Sequence, residues 1–394
     1  MHIYTEFLIF LVLLVILPDL YLYNRFMRNR TNKSTSILHA IISAYSIIMS
    51  LTIMLNINNV FSPETNFRLI LLVTVLGLIY IPKLAFCSFD LIFFLTKKRW
   101  RWIQYCGYGA TIVIALTILH GIFIKRFDFE KGEYTVQMEH LPDSFDDYKI
   151  VQLSDLHLGT FSFSKEKLIP LMDSINAQKP DLIVFTGDMV NSLATECNGW
   201  NEICARLNPE TPKLAVLGNH DYSTYYMSWE DEDIEFLNSM AIRQRIRDFG
   251  FDLLLNESVT IPKGSDTIIV IGTENWSKKS EYNFGDINKS MKGTEQYPCK
   301  IMLTHDPSFW SDSICDRLDV DLTLSGHTHA SQFGFKIGDY KWSPAKYRFE
   351  YYDGHSEKNG NHIIVSRGIG CVGVPVRIGL SPEYSVITLK KKTQ

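Results

Sequence analysis

Chemistry enters this chain in small groups. Asp155 and His157 stand two apart in SDLHLG, and Asp188 and Asn191 share GDMVN. Asn219, His220 and Asp221 follow one another in GNHD, His305 opens HDPSFW, and His327 and His329 alternate in SGHTH. Imidazoles mixed with carboxylates suit a borderline divalent cation such as Mn, Fe or Zn better than Mg or Ca, which prefer shells of oxygen. A carboxylate between two such cations can bridge them roughly 3.5–4 Å apart, a clamp suited to in-line displacement at phosphorus. An isolated HxH is equally a polar turn. With two cations, His327 and His329 would each face a different ion from one tight turn, and Gly326 would let the backbone come close.

Each group follows a short apolar run: KIVQL, DLIVFT, KLAVL, KIMLT and VDLTL. TIIVIG, HIIVS and YSVITL are further strands, KEKLIPLMDSIN reads as a helix, and an amphipathic segment extends from about Glu230 to Phe249. This is an α/β pattern without internal repeats. In open α/β sheets ligands collect beyond the carboxyl ends of strands, where loops converge on one rim. Asp155 and His329 are therefore expected to be neighbours although 174 positions separate them.

The chain has 394 residues, 46% of them hydrophobic, and the apolar excess is concentrated in the first third. Four runs, about 3–23, 37–57, 69–96 and 103–124, approach or exceed the ~20 residues that cross a bilayer as a helix, so four transmembrane helices are expected. No basic residue precedes the first run, which holds Glu6 in its approach and no cleavage site after it, so it is read as retained. Arg25, Arg28, Arg30 and Lys33 fill the first connecting loop and Lys97, Lys98, Arg99 and Arg101 the third, whereas the second offers Arg68 against Glu64. Positive loops stay in the cytoplasm, which puts everything after the fourth run on the extracytoplasmic side of the inner or plasma membrane. The third run carries Pro82, Lys83 and Asp90; either the two charges pair on one helical face, or the span ends near Lys83. The organisation expected is a membrane domain over 1–126, a connector over 127–147 and a catalytic domain over 148–394.

Residues 1–126 hold 12 Lys+Arg against 4 Asp+Glu, net +8, and the remainder 27 against 39, net −12. So acidic a catalytic part is a poor partner for nucleic acid, although a bound cation would invert the local sign for a small phosphoester. Seven cysteines include no CxxC pair, which argues against a zinc finger. Cys197 and Cys204 read as free buried thiols or, in an oxidising compartment, as a bridge.

The ordered series D-x-H, G-D-x-x-N, G-N-H-D, H and G-H-T-H resembles the calcineurin-like metallophosphoesterases over most of residues 148–388, and SRGIGCVGVPVRIGLSPEYSVITL looks like the closing segment of their bacterial membrane-attached members. Five motifs in order are far more specific than one. The resemblance implies a four-layer αββα sandwich, two mixed sheets flanked by helices, behind the transmembrane bundle. It implies one metal on Asp155, His157, Asp188 and His329, and a second on Asp188 as the bridge, Asn219, His305 and His327. His220 would be the general acid and a metal-bound hydroxide the nucleophile. The family often has aspartate where this chain has Asn191.

The reaction expected is hydrolysis of a phosphomonoester or phosphodiester, with a lipid-linked substrate favoured because four spans exceed what tethering needs. The alternative is a UDP-2,3-diacylglucosamine pyrophosphatase-type hydrolase of lipid A precursors, whose cytoplasmic substrate conflicts with the charge-based topology. A non-hydrolytic receptor or transporter is more remote, because the ligand set is complete. No protein partner is implied. Asp221 reads as orienting His220 or capping a turn, and Arg367 and Arg377 as pairing partners or phosphate contacts. The aromatic pieces STYYMSWEDED and DYKWSPAKYRFEYY read as loop packing, pocket walls or interfacial anchors.

Overall fold

A computed structural model describes residues 11–29, 33–56, 63–224, 232–338 and 340–392. The chain divides into two compact units, Met1–Ile124 and Lys125–Gln394. In the first unit a helical turn, α1 (Leu17–Leu22), lies between π-helical stretches Leu11–Ile16 and Tyr23–Met27. Helices α2 (Ser34–Asn56), α3 (Pro63–Leu95) and α4 (Arg101–Phe123) follow. Among the described residues three helices, rather than the four expected, are long and apolar enough to cross a membrane. The first expected span, 3–23, begins outside the described residues, and its described part is helical. Leu55, Leu95 and Phe123 turn apolar side chains outward, as helices facing hydrocarbon do.

α3 runs unbroken through Pro82, and Lys83 and Asp90 do not pair with each other. Seven residues of α-helix span about 10.5 Å, too far for a direct ion pair. Each finds a nearer partner beside α1 instead. Lys83 Nζ lies 2.5 Å from Asp19 Oδ1, and Asp19 Oδ2 accepts from Tyr80 Oη at 2.9 Å. Asp90 accepts from Arg25 Nε at 2.9 Å, Tyr21 Oη at 2.7 Å and Gln104 Nε2 at 2.8 Å. Charges in an apolar bundle persist when paired in this way.

The second unit is built on two mixed six-stranded sheets. The first contains β1 (Glu130–Met138), β2 (Lys149–Leu153), β3 (Leu182–Phe185), β4 (Lys213–Ala215) and β5 (Asp252–Leu253). The second contains β6 (Glu257–Lys263), β7 (Asp266–Gly272), β8 (Lys300–Leu303) and β9 (Leu322–Ser325). After a small hairpin, β10 (Phe335–Ile337) with β11 (Tyr340–Trp342), the chain adds β12 (Gly354–Lys358) and β13 (Asn361–Val365) to the second sheet and β14 (Glu383–Lys391) to the first. The orders are β1-β14-β2-β3-β4-β5 and β12-β13-β9-β8-β7-β6.

Period-two alternation in apolar strands fills three layers at once, because successive side chains point to opposite faces. Ile150, Leu182, Val184 and Leu214 face Ile301, Leu303, Leu322 and Leu324 across the sandwich. Their neighbours Val151, Ile183, Phe185 and Ala215 pack outward with residues of α5 (Ile169–Ala177) and α6 (Glu232–Asp248). On the far face Ile269, Met302 and Ile363 pack with Trp310 and Ile314. Residues 127–147, assigned to a connector on sequence, instead carry β1, which pairs in parallel with β14, and bury Phe145 in the core. β1 was hidden because its first six residues alternate only between partly and fully exposed positions, so no apolar run marks it.

Candidate metal centre

Strands β2, β3 and β4 of one sheet and β8 and β9 of the other all end on the same rim. Past those ends the backbone turns sharply: Asp155 (φ 53°), His157 (42°), Asp188 (62°), His327 (71°) and His329 (49°) all adopt left-handed conformations. Such geometry is uncommon for residues with a Cβ, and its concentration on chemically able side chains marks a functional site. At Gly326 a Cβ would fall inside contact distance of Ser154 Oγ and Asp155 Oδ2, so glycine is required for the close approach.

The turns gather two clusters, Asp155 with His157 and His329, and Asp188 with His305 and His327, each with candidate ligand atoms within 4.8 Å of one another. In the first, His329 Nε2 lies 3.2 Å from Asp155 Oδ1 and 3.1 Å from His157 Nε2. In the second, His305 Nε2 lies 3.1 Å from Asp188 Oδ2 and 3.1 Å from His327 Nδ1. The same Asp188 oxygen lies 3.6 Å from His157 Nε2, so one carboxylate stands between both clusters. The Asn219 side-chain oxygen is buried and accepts no hydrogen bond. A buried orphaned acceptor beside crowded, mutually repelling imidazole nitrogens is what a pair of cations would satisfy, and the donor set fits borderline divalent metals.

Burial alone would raise the two carboxyls, but the surrounding imidazoles outweigh it and hold Asp155 and Asp188 well below the usual carboxylate range. Burial pushes His157 well down, which keeps it neutral and able to ligate. His305 is desolvated too, yet the Asp188 and Asp155 carboxylates raise it to about 10.

The GDMVN loop does more than supply Asp188. His305 Nδ1 donates to the Thr186 carbonyl at 2.7 Å, His157 Nδ1 to Val190 at 3.0 Å, and His220 Nδ1 to Asn191 at 2.6 Å. Carbonyls only accept, so all three rings carry their Nδ1 proton on this one segment and leave Nε2 for chemistry. Asn191 thus acts through its backbone, while Glu196 Oε2 accepts from its N–H at 2.8 Å and its amide at 3.0 Å. Asp221 does not orient the His220 ring. Its carboxylate caps the turns, accepting from the N–H groups of Asp188 at 2.8 Å, Met189 at 2.9 Å and Gly218 at 2.9 Å.

Arg367 pairs with Asp353, Glu130 and Glu383 at 2.9, 2.9 and 2.7 Å, and burial with three acidic partners makes it structural. Arg377 is fully buried. Its Nη2 donates to the Arg367, Gly368 and Gly370 carbonyls at 2.9, 3.0 and 2.7 Å and lies 3.3 Å from His329 Nδ1, which fixes that ring. Its role was missed because the contact crosses 48 positions without a motif. Two clefts open beside the clusters. One of about 380 Å³ is lined by Asp188, Asn219, His220, His327 and His329, and a neighbour of about 280 Å³ also reaches Asn219 and His327. Arg348 and Phe349, from DYKWSPAKYRFEYY, line both. Most of STYYMSWEDED lies outside the described residues. All seven cysteines, Cys197 and Cys204 included, are free thiols. Of the remaining histidines, His140 lies 2.8 Å from Asp321 and His355 3.0 Å from His362, ordinary hydrogen bonds away from the clusters.

Residues 148–331 match the profile of the calcineurin-like phosphoesterase family. The chain is 30% identical over 293 residues, 72% of its length and 94% of the relative's, to the uncharacterised metallophosphoesterase YkuE of Bacillus subtilis (strain 168). An uncharacterised metallophosphoesterase of Aquifex aeolicus (strain VF5) is 31% identical over 283 residues, 70% of this chain and 98% of that one. A transmembrane protein with metallophosphoesterase domain from Danio rerio is 27% identical over 72% of this chain, which spans 62% of that relative. Among solved structures, the sulfate thiohydrolase SoxB of Thermus thermophilus aligns over 64% of this chain and 57% of its own, at 13% identity and a TM-score of 0.36.

Gly326→Ala is expected to lower turnover of an aryl phosphate ester by about 10²-fold, the usual cost of misplacing reacting groups by ~1 Å, and to reduce metal content measured by elemental analysis. Native turnover and metal content in Gly326→Ala would show that the close approach has no functional weight.

Proposed function

Because the chain belongs to the calcineurin-like metallophosphoesterases, which hydrolyse phosphoester bonds, we propose that its two side-chain clusters hold two divalent cations and hydrolyse a phosphate ester at the rim of the sandwich. One cation would take Asp155, His157, Asp188 and His329, and the other Asp188, Asn219, His305 and His327. The observation that carries this reading is the single Asp188 oxygen lying 3.1 Å from His305 and 3.6 Å from His157, one residue of each cluster's shell. Cations bound there supply Lewis acidity at the phosphoryl oxygens and lower the pKa of water from 15.7 toward ~7.

The protein's own groups do the rest. Asp188 Oδ1 accepts the His220 N–H at 2.9 Å, which ties the GNHD turn to the bridging carboxylate. His220 keeps one proton on Nδ1, donated to Asn191, so its Nε2 proton is the one available for the departing oxygen. The two clefts, both open at Asn219 and His327, would receive the ester.

With purified full-length protein, Mn²⁺ and a bis-aryl phosphate, His220→Ala is expected to lower kcat by about 10²–10⁴-fold while metal content stays native. Asp188→Asn is expected to lose both turnover and metal. Undiminished turnover in Asp188→Asn would remove the bridging role.

A membrane substrate deepens this reading. The three apolar helices, with the basic loops at Arg25–Lys33 and Lys97–Arg101, support a catalytic unit outside the cytoplasm acting on a lipid-linked or envelope phosphoester. An enzyme reporter that works only outside the cytoplasm, fused after Lys392, is expected to be active. Activity only from a cytoplasm-dependent reporter at the same position would reverse the orientation and favour the nucleotide-linked lipid A precursor instead.

A further inference from the structure

The smaller cleft carries features that hydrolysis of a lone phosphoryl group does not use. It begins at Asn219 and His327, then extends for about 280 Å³ between Trp276, Lys279, Tyr282, Arg348 and Phe349. Its lining holds Lys278, Lys279 and Arg348 against the single carboxylate of Asp306, on a unit, Lys125–Gln394, whose net charge is −10. Lys278 on the same wall is neutralised by Asp312 at 2.9 Å, but among the described residues neither Lys279 nor Arg348 forms an ion pair. Both are steered by rings instead: Arg348 Cζ lies 5.2 Å from the Phe349 centroid and Lys279 Nζ 5.9 Å from that of Tyr282. Phe349 in turn stands edge-on to His327 at 5.5 Å, which links the basic wall to the candidate ligands.

We infer that the substrate carries a second phosphoryl group, besides the one hydrolysed, on a scaffold with a planar or apolar face, and that Arg348 and Lys279 bind that second group. This rests on the metal-centred reading above. A guanidinium and an ammonium without carboxylate partners, facing a cleft, match phosphate by charge and donor geometry. Trp276 lines the cleft and is held by stacking on the buried Phe309 ring, at 5.3 Å with 25° between planes, which gives the cleft an aromatic wall for a ring or acyl segment. The scissile group would lie over Asp188 and His220 in the larger cleft, and Arg348, common to both, would stand between the two anions.

The test uses two nucleoside 5′-(aryl phosphates) that differ only in a 3′-phosphate, with full-length Mn²⁺-loaded protein. The 3′-phosphate is expected to raise kcat/KM about tenfold or more, the scale of one charge-assisted contact. Lys279→Ala, at a residue that lines only the smaller cleft, is expected to erase most of that gain while changing turnover of the singly phosphorylated ester less than about threefold and leaving metal content native; Arg348→Ala is expected to lower turnover of the doubly phosphorylated ester more than that of the singly phosphorylated one. No preference in the unaltered protein, or an equal fall on both esters in both variants, would overturn the inference. Absence of a 3′-phosphate preference in the unaltered protein, with turnover still abolished by Asp188→Asn, sinks this inference alone. Turnover of both esters that survives Asp188→Asn sinks the metal-centred reading beneath it.

Discussion

A carboxylate taken out of water loses several kcal/mol of hydration unless opposite charge and donors replace it. Asp188 is 1% exposed, and each of its oxygens has been given a replacement. Oδ1 accepts the backbone N–H of His220, and Oδ2 lies among the Nε2 atoms of His305 and His157. The arrangement keeps Asp188 ionised at the one place where both clusters can reach it. A second carboxylate, Asp155, and four buried or half-buried imidazoles crowd the same space, and a pair of cations is the simplest charge balance for that density.

The scaffold around Asp188 follows from the sandwich. Parallel strands that are apolar on both faces must be covered on both, which places the sheets back to back and brings five strand ends to one rim. The loop after β3 is central there. Its carbonyls hold three histidines that come from three other loops, and its N–H groups are capped by Asp221. Rings fixed in this way need little rearrangement before they bind or transfer a proton. The price is backbone held in left-handed conformations at five side-chain-bearing positions.

The strands and the rim residues were legible because both depend on local signals: apolar alternation for the strands, and His, Asp and Asn clustered after each one. What could not be read belongs to the backbone or to distant pairing. The carbonyls of Thr186, Val190 and Asn191 have no side-chain signature. The contact of Arg377 with His329 and the opening of Arg348 onto both clefts depend on where long loops return. Asp221 looks like a partner for its neighbour His220, yet the tight GNHD turn aims its carboxylate back at N–H groups. Lys83 and Asp90 looked like a pair within one helix, and the rise per residue forbids it. The N-terminal charge pattern gave an orientation but no partner, because Asp19 and Arg25 had no motif to mark them.

The central claim is that two metal ions share the Asp188 carboxylate. Electron paramagnetic resonance of full-length protein reconstituted with Mn²⁺ examines that directly, because a bridging carboxylate couples the spins. The account predicts two equivalents of manganese with an exchange-coupled spectrum that gives way to isolated-ion signals in Asp188→Asn. A single equivalent with an uncoupled six-line spectrum in the unaltered protein would contradict it.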